Sequence, residues 1–189
     1  MALASHPKQG KPKRADPIIL LSPSASSLLR MSNIKSFLGD GTYIPPDNSV
    51  ASSDTNMVHI TRTIPSIEAT KTQRFIIVDS PDQFKPEYWA RVVAVFTTGQ
   101  AWQFRSYKWQ TPQDLFSHVL GVYVGVRGEQ IPDTVRSWGR RVAALQIDPY
   151  LDEKSSRWRD REVVENVWHR IEDQMRISGW TANGPAGRM

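Results

Sequence analysis

The segment Arg91-Val-Val-Ala-Val-Phe-Thr-Thr-Gly-Gln-Ala-Trp-Gln-Phe104 decides the fold class of this chain of 189 residues. It contains an uninterrupted apolar run, Val92 to Phe96, that a glycine-containing turn closes. Such runs are typical of a central strand covered on both faces. In open α/β sheets, binding sites form just beyond the carboxyl ends of such strands. That position carries no acid, cysteine or histidine, which favours binding of a partner over catalysis. Its residues are Thr97, Thr98, Gly99, Gln100 and Trp102.

Strand and helix patterns alternate along the rest of the chain. Apolar runs predict further strands over 17–22, 74–79, 122–126 and 141–147. Helical spacing and caps predict helices over 26–38, 86–90 and 158–177, and a fourth that begins with Thr111 as N-cap. Residues 40–72 are predicted to form a long, partly mobile loop, with a brief edge strand over 58–60 as an alternative. The pattern predicts an α/β fold with a mostly parallel sheet and helices on both faces.

Composition limits the class of protein further. Hydrophobic residues make up 39% of the chain, enough for one domain with a core. The chain has no cysteine, which excludes disulfides, thiolate metal sites and cysteine nucleophiles. No apolar run approaches the ~18 residues that a membrane span needs, and no secretory signal is recognised.

The net charge of +5 is concentrated near the N-terminus. Four basic residues precede the first acid, Asp16, and without them the chain holds 20 basic and 19 acidic residues. They are Lys8, Lys11, Lys13 and Arg14. Residues 1–15 are therefore predicted to be a disordered basic tail, serving as a linker, a nuclear-import signal or a weak nucleic-acid contact. Residues 181–189 are predicted to be a second disordered tail.

The loop after the first predicted strand lacks the residues of a phosphate loop. Such a loop needs glycines, a lysine and a hydroxyl for magnesium. Leu21-Ser-Pro-Ser-Ala-Ser-Ser-Leu28 has neither glycine nor lysine, and Pro23 removes an amide donor. No catalytic constellation, cofactor site or metal site is recognised elsewhere, because the four histidines lie far apart and no Gly-x-Ser-x-Gly motif is present. The sequence thus favours a protein that is not an enzyme.

Aromatic and basic residues alternate just after the central strand. Trp102 and Trp109 flank a stretch that contains Arg105 and Lys108. This composition suits a peptide groove or a stacking platform for single-stranded nucleic acid. The alternative is that Trp102 and Phe104 pack inward as alternate residues of a strand.

Several segments resemble the C-terminal domain of the parafibromin family. The resemblance covers residues 16–180 and is weakest over 40–72. It rests on Pro17-Ile-Ile-Leu-Leu-Ser-Pro-Ser-Ala-Ser-Ser-Leu-Leu29, Asn33-Ile-Lys-x-Phe-Leu38, Arg74-Phe-Ile-Ile-Val-Asp79, the block Lys85 to Phe104, Trp109, Leu115-Phe116, Val163-Val164, Val167-Trp168-His169 and Ser178-Gly179.

The resemblance implies a Ras-like (GTPase-like) three-layer fold that has lost its nucleotide site. It also implies a subunit of the nuclear RNA polymerase II-associated factor complex, whose C-terminal domain helps recruit the complex to chromatin during transcription elongation. The implied partners are phosphorylated repeats of the polymerase tail, phosphorylated repeats of an elongation factor, and other subunits of the complex. In that family the chain would be a fragment, without the longer N-terminal half.

Arg91 and Trp102 match family residues and are the first candidates for phosphopeptide binding. Arg74 is the next, followed by Trp109, Arg105 and Lys108. About five strand residues, on the order of 15 Å, separate the backbones of Arg91 and Trp102, so the two side chains are expected to make different contacts. A structural ion pair of Arg91 with an acid such as Asp79 is the alternative.

Three functions remain open from the sequence. The leading hypothesis is a non-enzymatic docking module for phosphorylated elongation partners. The second is a degenerate nucleotide-binding protein, which the segment over 22–28 disfavours. The third is a nucleic-acid-binding domain that uses the basic tail and the aromatic patch, and it predicts a steep dependence of affinity on salt.

Overall fold

The computed structural model describes residues 15–46, 56–150 and 157–187. Within these ranges, six strands form one sheet on which four α-helices and three short 3₁₀ helices pack. The strands are β1 (Ile18–Leu20), β2 (Val58–Ile64), β3 (Glu68–Val78), β4 (Val92–Phe96), β5 (Leu120–Val126) and β6 (Val142–Ile147). The α-helices are α1 (Ile34–Asp40), α2 (Pro112–His118), α3 (Asp133–Ser137) and α4 (Trp158–Ile177). The 3₁₀ helices are Pro86–Arg91, Ala101–Ser106 and Gly139–Arg141. No described helix is long and apolar enough to cross a membrane.

The strands lie in the order β2-β3-β1-β4-β5-β6. All neighbours are parallel except β2, which pairs antiparallel with β3. Ile18 of β1 faces Ile76 of β3 on one side and Val92 of β4 on the other. The amino ends of β1 and β4 therefore meet at one edge of the sheet, beside Ile76 in the last part of β3. The prediction of a mostly parallel α/β sheet is confirmed.

Each face of the sheet carries its own apolar core. On one face, α1 and α4 cover the sheet, and the buried Trp168 packs edge-on against Phe75 with ring centroids 4.8 Å apart. The Trp168 indole also donates a 2.9 Å hydrogen bond to the carbonyl of Leu38 in α1. On the other face, α2, α3 and the first two 3₁₀ helices pack around Phe104 and Phe116. The fold thus has the three layers that the sequence predicts.

Two glycines allow this close packing. Gly121 opens the face of β5, where a Cβ atom would lie only 2.7 Å from both the Phe116 ring and a methyl group of Val142. Gly99, with φ of +92°, turns the chain after β4, and a Cβ atom there would lie 3.0 Å from Val135. Substitution of Gly121 would push α2 away from the sheet, because interiors are close-packed.

The predicted helix over 26–38 is wrong in its first half, since α1 begins only at Ile34. In the segment before α1, side chains form hydrogen bonds with backbone groups that would otherwise bond to each other in a helix. Asn33 accepts from the amide of Arg30 and donates to the carbonyls of Leu28 and Ile44. Ser27 donates to the carbonyl of Leu29. These bonds hold the segment as turns.

The predicted loop over 40–72 is wrong in its second half, which forms an antiparallel hairpin of β2 and β3. The brief edge strand over 58–60 is confirmed and extends to Ile64. β3 begins at Glu68, six residues before the predicted start, with mostly exposed polar residues in its first half. Contacts with α4 hold this hairpin: Arg62 pairs with Glu165, and the Ser66 amide donates to Glu172. Residues 47–55 lie outside the described ranges.

Two further predictions concern the ends of the chain. The predicted tail over 181–189 is wrong for residues 181–187, because Thr181 bridges to Gly184 and Gly184 is buried against Ala15. Trp180 before it is buried as well. The predicted basic tail over 1–15 lies outside the described ranges except for Ala15, which is buried.

Candidate functional site

Two of the predicted binding residues, Arg74 and Arg91, meet at Asp16 on the amino edge of the sheet. Arg74 forms an ion pair with the Asp16 carboxylate at 2.6 Å, and its Nε donates to the same oxygen. Arg91 donates from Nε to the backbone carbonyl of Asp16 at 2.7 Å. The Asp16 side chain is only 10% exposed, whereas that of Arg74 is 54% exposed. Asp16 therefore fixes both arginines, one through its carboxylate and one through its backbone.

Arg91 also borders an open groove of about 420 Å³ on the α2 face of the sheet. The floor of this groove consists of Ile18 from β1 with Ile76 and Val78 from β3. Aromatic side chains and the two residues before β2 line its walls. They include Phe84, Tyr88, Met57 and Asn56. The guanidinium of Arg91 lies over the ring of Tyr88, 5.1 Å from its centroid. We call this cavity the β3 groove.

The β3 groove exists because the connection from β3 to β4 is short. Pro86–Arg91 is a single 3₁₀ helix of six residues with proline at its start, and it turns Trp89 inward against Phe84, Tyr107 and Trp109. One short helix does not cover both β1 and β3, so apolar side chains of these strands line an open cavity. The volume lies within the range of roughly 300–1,000 Å³ that is typical of ligand sites.

Charges of opposite sign lie at the two ends of the β3 groove. Arg91 stands at the amino edge of the sheet, level with Ile18. Asp79 and Asp82 stand at the other end, where β3 ends. The alternative interpretation of Arg91 was an ion pair with an acid such as Asp79. The structure shows a different partner for its Nε, the backbone carbonyl of Asp16.

Trp102 lies away from Arg91, beyond the carboxyl end of β4. It belongs to the 3₁₀ helix Ala101–Ser106, and the alternative of an inward-facing strand residue is wrong because Trp102 is 47% exposed. The neighbouring Gln103 and Phe104 are buried instead. Gln103 donates to the carbonyl of Phe96 and to the hydroxyl of Tyr107, which ties the helix to the end of β4. Burial raises the pKa of Tyr107 to about 12.

The remaining aromatic and basic candidates form a separate surface. Trp109 is half-buried and stacks on His118 with ring centroids 4.2 Å apart, while Lys108 lies over the Trp109 ring at 5.1 Å. Arg105 is exposed at the end of the second 3₁₀ helix. Trp109 thus has a packing role, and the platform of two exposed tryptophans that nucleic-acid stacking would use is not formed.

Two backbone amides in the loop after β1 form hydrogen bonds within that loop. The Ser24 amide donates to the Ser22 hydroxyl, and the Ser26 amide donates to the Ser24 hydroxyl. A phosphate cradle needs such amides turned toward the ligand. The helix that would supply further amides begins only at Ile34. Within residues 15–46, 56–150 and 157–187, no three His, Cys, Asp or Glu side chains group as they would around a metal ion.

The structure brings together residues that the sequence analysis did not connect. Asp16, Tyr88, Met57 and Asp82 were not predicted as binding residues. They come from four separate segments, and of the four only Tyr88 lies in a segment that carries the resemblance. Asp16 carried one signal, since it is an acid placed directly before a buried strand.

Comparison with known proteins identifies the family. The family described as "RNA pol II accessory factor, Cdc73 family, C-terminal" matches residues 13–174. The chain belongs to the Cdc73 family. It is 42% identical to cell division control protein 73 of Schizosaccharomyces pombe over 172 residues and 41% identical to the Saccharomyces cerevisiae protein of the same name over 168 residues. These matches cover 89% and 88% of this chain.

A solved structure shows the same fold within the Cdc73 family. The structure titled "The conserved domain of yeast Cdc73" matches with a TM-score of 0.76 and 40% sequence identity, over 87% of this chain and 99% of that one. The Ras-like fold that the resemblance implies is thereby confirmed. The chain spans 44% and 40% of the length of the two yeast relatives.

Proposed function

We propose that this domain is a non-enzymatic docking module of the RNA polymerase II-associated factor complex. It binds phosphorylated repeats of the polymerase tail and of an elongation factor, and so helps recruit the complex to elongating polymerase and chromatin in the nucleus. Membership of a family described as an RNA polymerase II accessory factor supports this role. The observation that carries it is the position of Arg91 at one end of the β3 groove.

Arg91 supplies the chemistry that a phosphorylated serine requires. A phosphoserine carries close to two negative charges and three acceptor oxygens, which a guanidinium meets with paired hydrogen bonds. The bond from Nε to Asp16 and the contact with Tyr88 fix the direction of the Arg91 side chain. A side chain that is fixed before binding loses little conformational entropy when the phosphate arrives.

The β3 groove beside Arg91 accommodates the rest of an extended peptide. Its floor of Ile18, Ile76 and Val78 offers apolar contact to the prolines that flank a phosphorylated serine in such repeats. The wall residue Met57 is 43% exposed and adapts its shape readily, as methionine does on binding surfaces. The groove thus combines one cationic end with an adaptable apolar surface.

Trp102 provides a second contact on a different part of the surface. Its ring is exposed, and its indole nitrogen donates to Gln100 at 2.9 Å, which holds the ring in place. A peptide of several repeats reaches both Arg91 and Trp102, and linked weak contacts raise the overall affinity. Arg105 and Lys108 add positive charge near this second contact, whereas Arg74 supports the first by holding Asp16.

Peptide binding tests this proposal directly. Fluorescence anisotropy of the 189-residue chain with a serine-phosphorylated tail repeat, beside the unphosphorylated peptide, measures whether affinity depends on phosphate. Arg91→Ala is expected to weaken binding of the phosphorylated peptide about tenfold or more, as loss of a charge-assisted hydrogen bond does. Arg127→Ala, at an exposed arginine after β5, is the control. Equal affinity for both peptides would exclude phosphopeptide capture by this domain.

A further inference from the structure

A second, smaller cavity lies toward the other edge of the sheet, near the start of β6. The rings of Phe116 in α2 and Trp138 at the end of α3 line it, with their centroids 5.5 Å apart. Arg141, which directly precedes β6, lines it as well. The cavity holds about 120 Å³, which is below the roughly 300–1,000 Å³ of small-molecule sites. It therefore has the size for one apolar side chain of a larger partner.

Three arginines belong to the elements beside this cavity. Arg141 donates from Nη1 to the carbonyl of Ser117 at 3.2 Å, and Arg170 of α4 donates from Nη2 to the carbonyl of Arg140 at 2.6 Å. The 3₁₀ helix Gly139–Arg141 thus lies between the end of α2 and the middle of α4. Among the residues with described positions, none of the three arginines forms an ion pair with a carboxylate. Their positive charges are therefore available to a ligand.

Three acids on the neighbouring elements have partners of their own. Asp133 of α3 and Asp173 of α4 each form an ion pair with an arginine three residues further along the same helix. The carboxylate of Asp114 in α2 lies 3.8 Å from Nδ1 of His118. The surface around the cavity therefore combines an apolar recess with an excess of positive charge.

We propose that this surface docks an acidic protein segment that carries one apolar side chain. The apolar side chain enters the cavity against Phe116 and Trp138. Neighbouring aspartate or glutamate side chains bind Arg141, Arg140 and Arg170, since a guanidinium matches the geometry of a carboxylate. We call the cavity and these three arginines the α2–β6 surface. Strands β1, β4 and β5 separate β3 from β6, so this surface and the β3 groove can be occupied at the same time.

The aromatic rings of the α2–β6 surface favour a protein partner over a nucleic acid. Stacking on bases requires an exposed aromatic face. Trp138 is half-buried, and its ring packs against both Phe104 and Phe116. In addition, the carbonyls of Ser117 and Arg140 hold two of the guanidinium groups before a partner arrives. Such fixed side chains lose little conformational entropy on binding.

Three synthetic peptides of equal length test the inference by ¹H–¹⁵N NMR of the 189-residue chain at physiological salt. The first has a central leucine between glutamates, the second has alanine in place of the leucine, and the third has glutamines in place of the glutamates. The first peptide is expected to shift the indole resonance of Trp138 and the amides of Ser117 and Arg141. It is expected to bind about fivefold more tightly than the alanine peptide, because a leucine side chain is buried. It is expected to bind about threefold or more tightly than the glutamine peptide, as exposed ion pairs give.

Charge variants show whether the arginines bind the glutamates. The double variant Arg140→Gln with Arg141→Gln is expected to remove the preference for glutamate. The control Lys71→Gln with Arg127→Gln removes the same charge from exposed positions elsewhere and is expected to keep it. Arg91→Ala is expected to leave the affinity for the first peptide unchanged, so failure of this inference and failure of the proposed function are distinguishable.

A cavity variant tests the apolar contact separately. Ser137→Leu adds a larger side chain at an exposed position that lines the cavity, and it is expected to reduce the preference for leucine but not that for glutamate. Equal affinity for the three peptides, no binding of the first peptide, or a preference for glutamate that survives in the double arginine variant would overturn the inference. A DNA duplex that shifts the same resonances and binds more tightly than the first peptide would overturn the assignment to a protein partner.

Discussion

Asp16, just before β1, binds two arginines through two different groups. Its carboxylate binds Arg74 of β3, and its backbone carbonyl accepts from Arg91, which directly precedes β4. Loss of the carboxylate therefore leaves the acceptor of Arg91 in place, whereas loss of Arg74 leaves a buried carboxylate without its cation. A buried charge without a partner is costly. At the scale of single residues, Arg74 is thus expected to contribute to stability, whereas Arg91 is the residue proposed to bind phosphate.

Substitution of Arg74 tests its contribution to stability. Arg74→Ala is expected to lower the free energy of unfolding by about 1–3 kcal/mol, the cost of an unsatisfied buried polar group. Urea denaturation at pH 7 measures the loss. The double variant Asp16→Asn with Arg74→Ala is expected to lose less than the sum of the single variants, because the uncompensated charge is gone. A loss in the double variant equal to the sum of the losses in the single variants would contradict the role of the ion pair.

The elements with strong local signals form where the sequence predicts them. Val92–Phe96 is a buried strand, Trp158–Ile177 a single helix, and Thr111 accepts from the amide of Asp114 as an N-cap. The hairpin of β2 and β3 was missed because its polar residues resemble a loop and its stability comes from α4. The late start of α1 depends on Asn33, whose bond to Ile44 spans eleven residues. Local patterns do not contain such contacts.

The cap of α2 can be tested as an element. Thr111→Ala is expected to lower the free energy of unfolding by about 1 kcal/mol, since the Asp114 amide loses its acceptor at the start of the helix. Thr111→Ser keeps the oxygen and is expected to retain nearly all of the stability. Thermal denaturation of both variants beside the parent chain gives the comparison. Equal losses in the two variants would show that the hydroxyl does not act as a cap.

At the scale of the whole molecule, the loop after β1 and the open cavity lie at different places on the sheet. In the loop after β1, the amides of Ser24 and Ser26 donate to the hydroxyls of Ser22 and Ser24 rather than pointing toward a phosphate. The open cavity lies instead over β1 and β3, beside a short 3₁₀ helix. The proposed peptide site therefore lies over β1 and β3 rather than at the loops that follow the carboxyl ends of the strands.

The sequence predicted the absence of a phosphate loop but not the position of the cavity. The absence is local, because glycine and lysine are either present in one segment or not. The β3 groove depends on residues from separate strands and turns, and on the short length of the helix Pro86–Arg91. Arg91 itself was found through the resemblance, whereas Asp79 was considered only as its possible partner. The separation of Arg91 from Trp102 followed from strand length alone.

The apolar core on the α2 face of the sheet contains Tyr107, which makes the free energy of unfolding depend on pH in the alkaline range. Burial raises the pKa of Tyr107 to about 12, because the phenolate would lie in an apolar environment. An unfolded tyrosine ionises near pH 10. The stability from this burial is therefore fully present below pH about 10 and is lost as pH rises toward 12.

Tyr107→Phe is expected to make the free energy of unfolding fall less between pH 9 and pH 11.5 than it does in the parent chain. Tyr150→Phe, at a tyrosine that is 81% exposed, is the control and is expected to follow the parent. Urea denaturation at both pH values provides the comparison. A parallel fall in the parent chain and in Tyr107→Phe would contradict the role assigned to this phenol.

The central claim is that phosphorylated repeats bind at the β3 groove beside Arg91. Two-dimensional ¹H–¹⁵N NMR of the 189-residue chain, during titration with a phosphorylated repeat peptide, tests it most directly. The account predicts the largest shifts at Ile76, Val78, Tyr88 and Arg91, with smaller shifts at Trp102 that grow when the peptide holds several repeats. Shifts confined to the segment over 100–110, or no shifts that depend on phosphate, would contradict it.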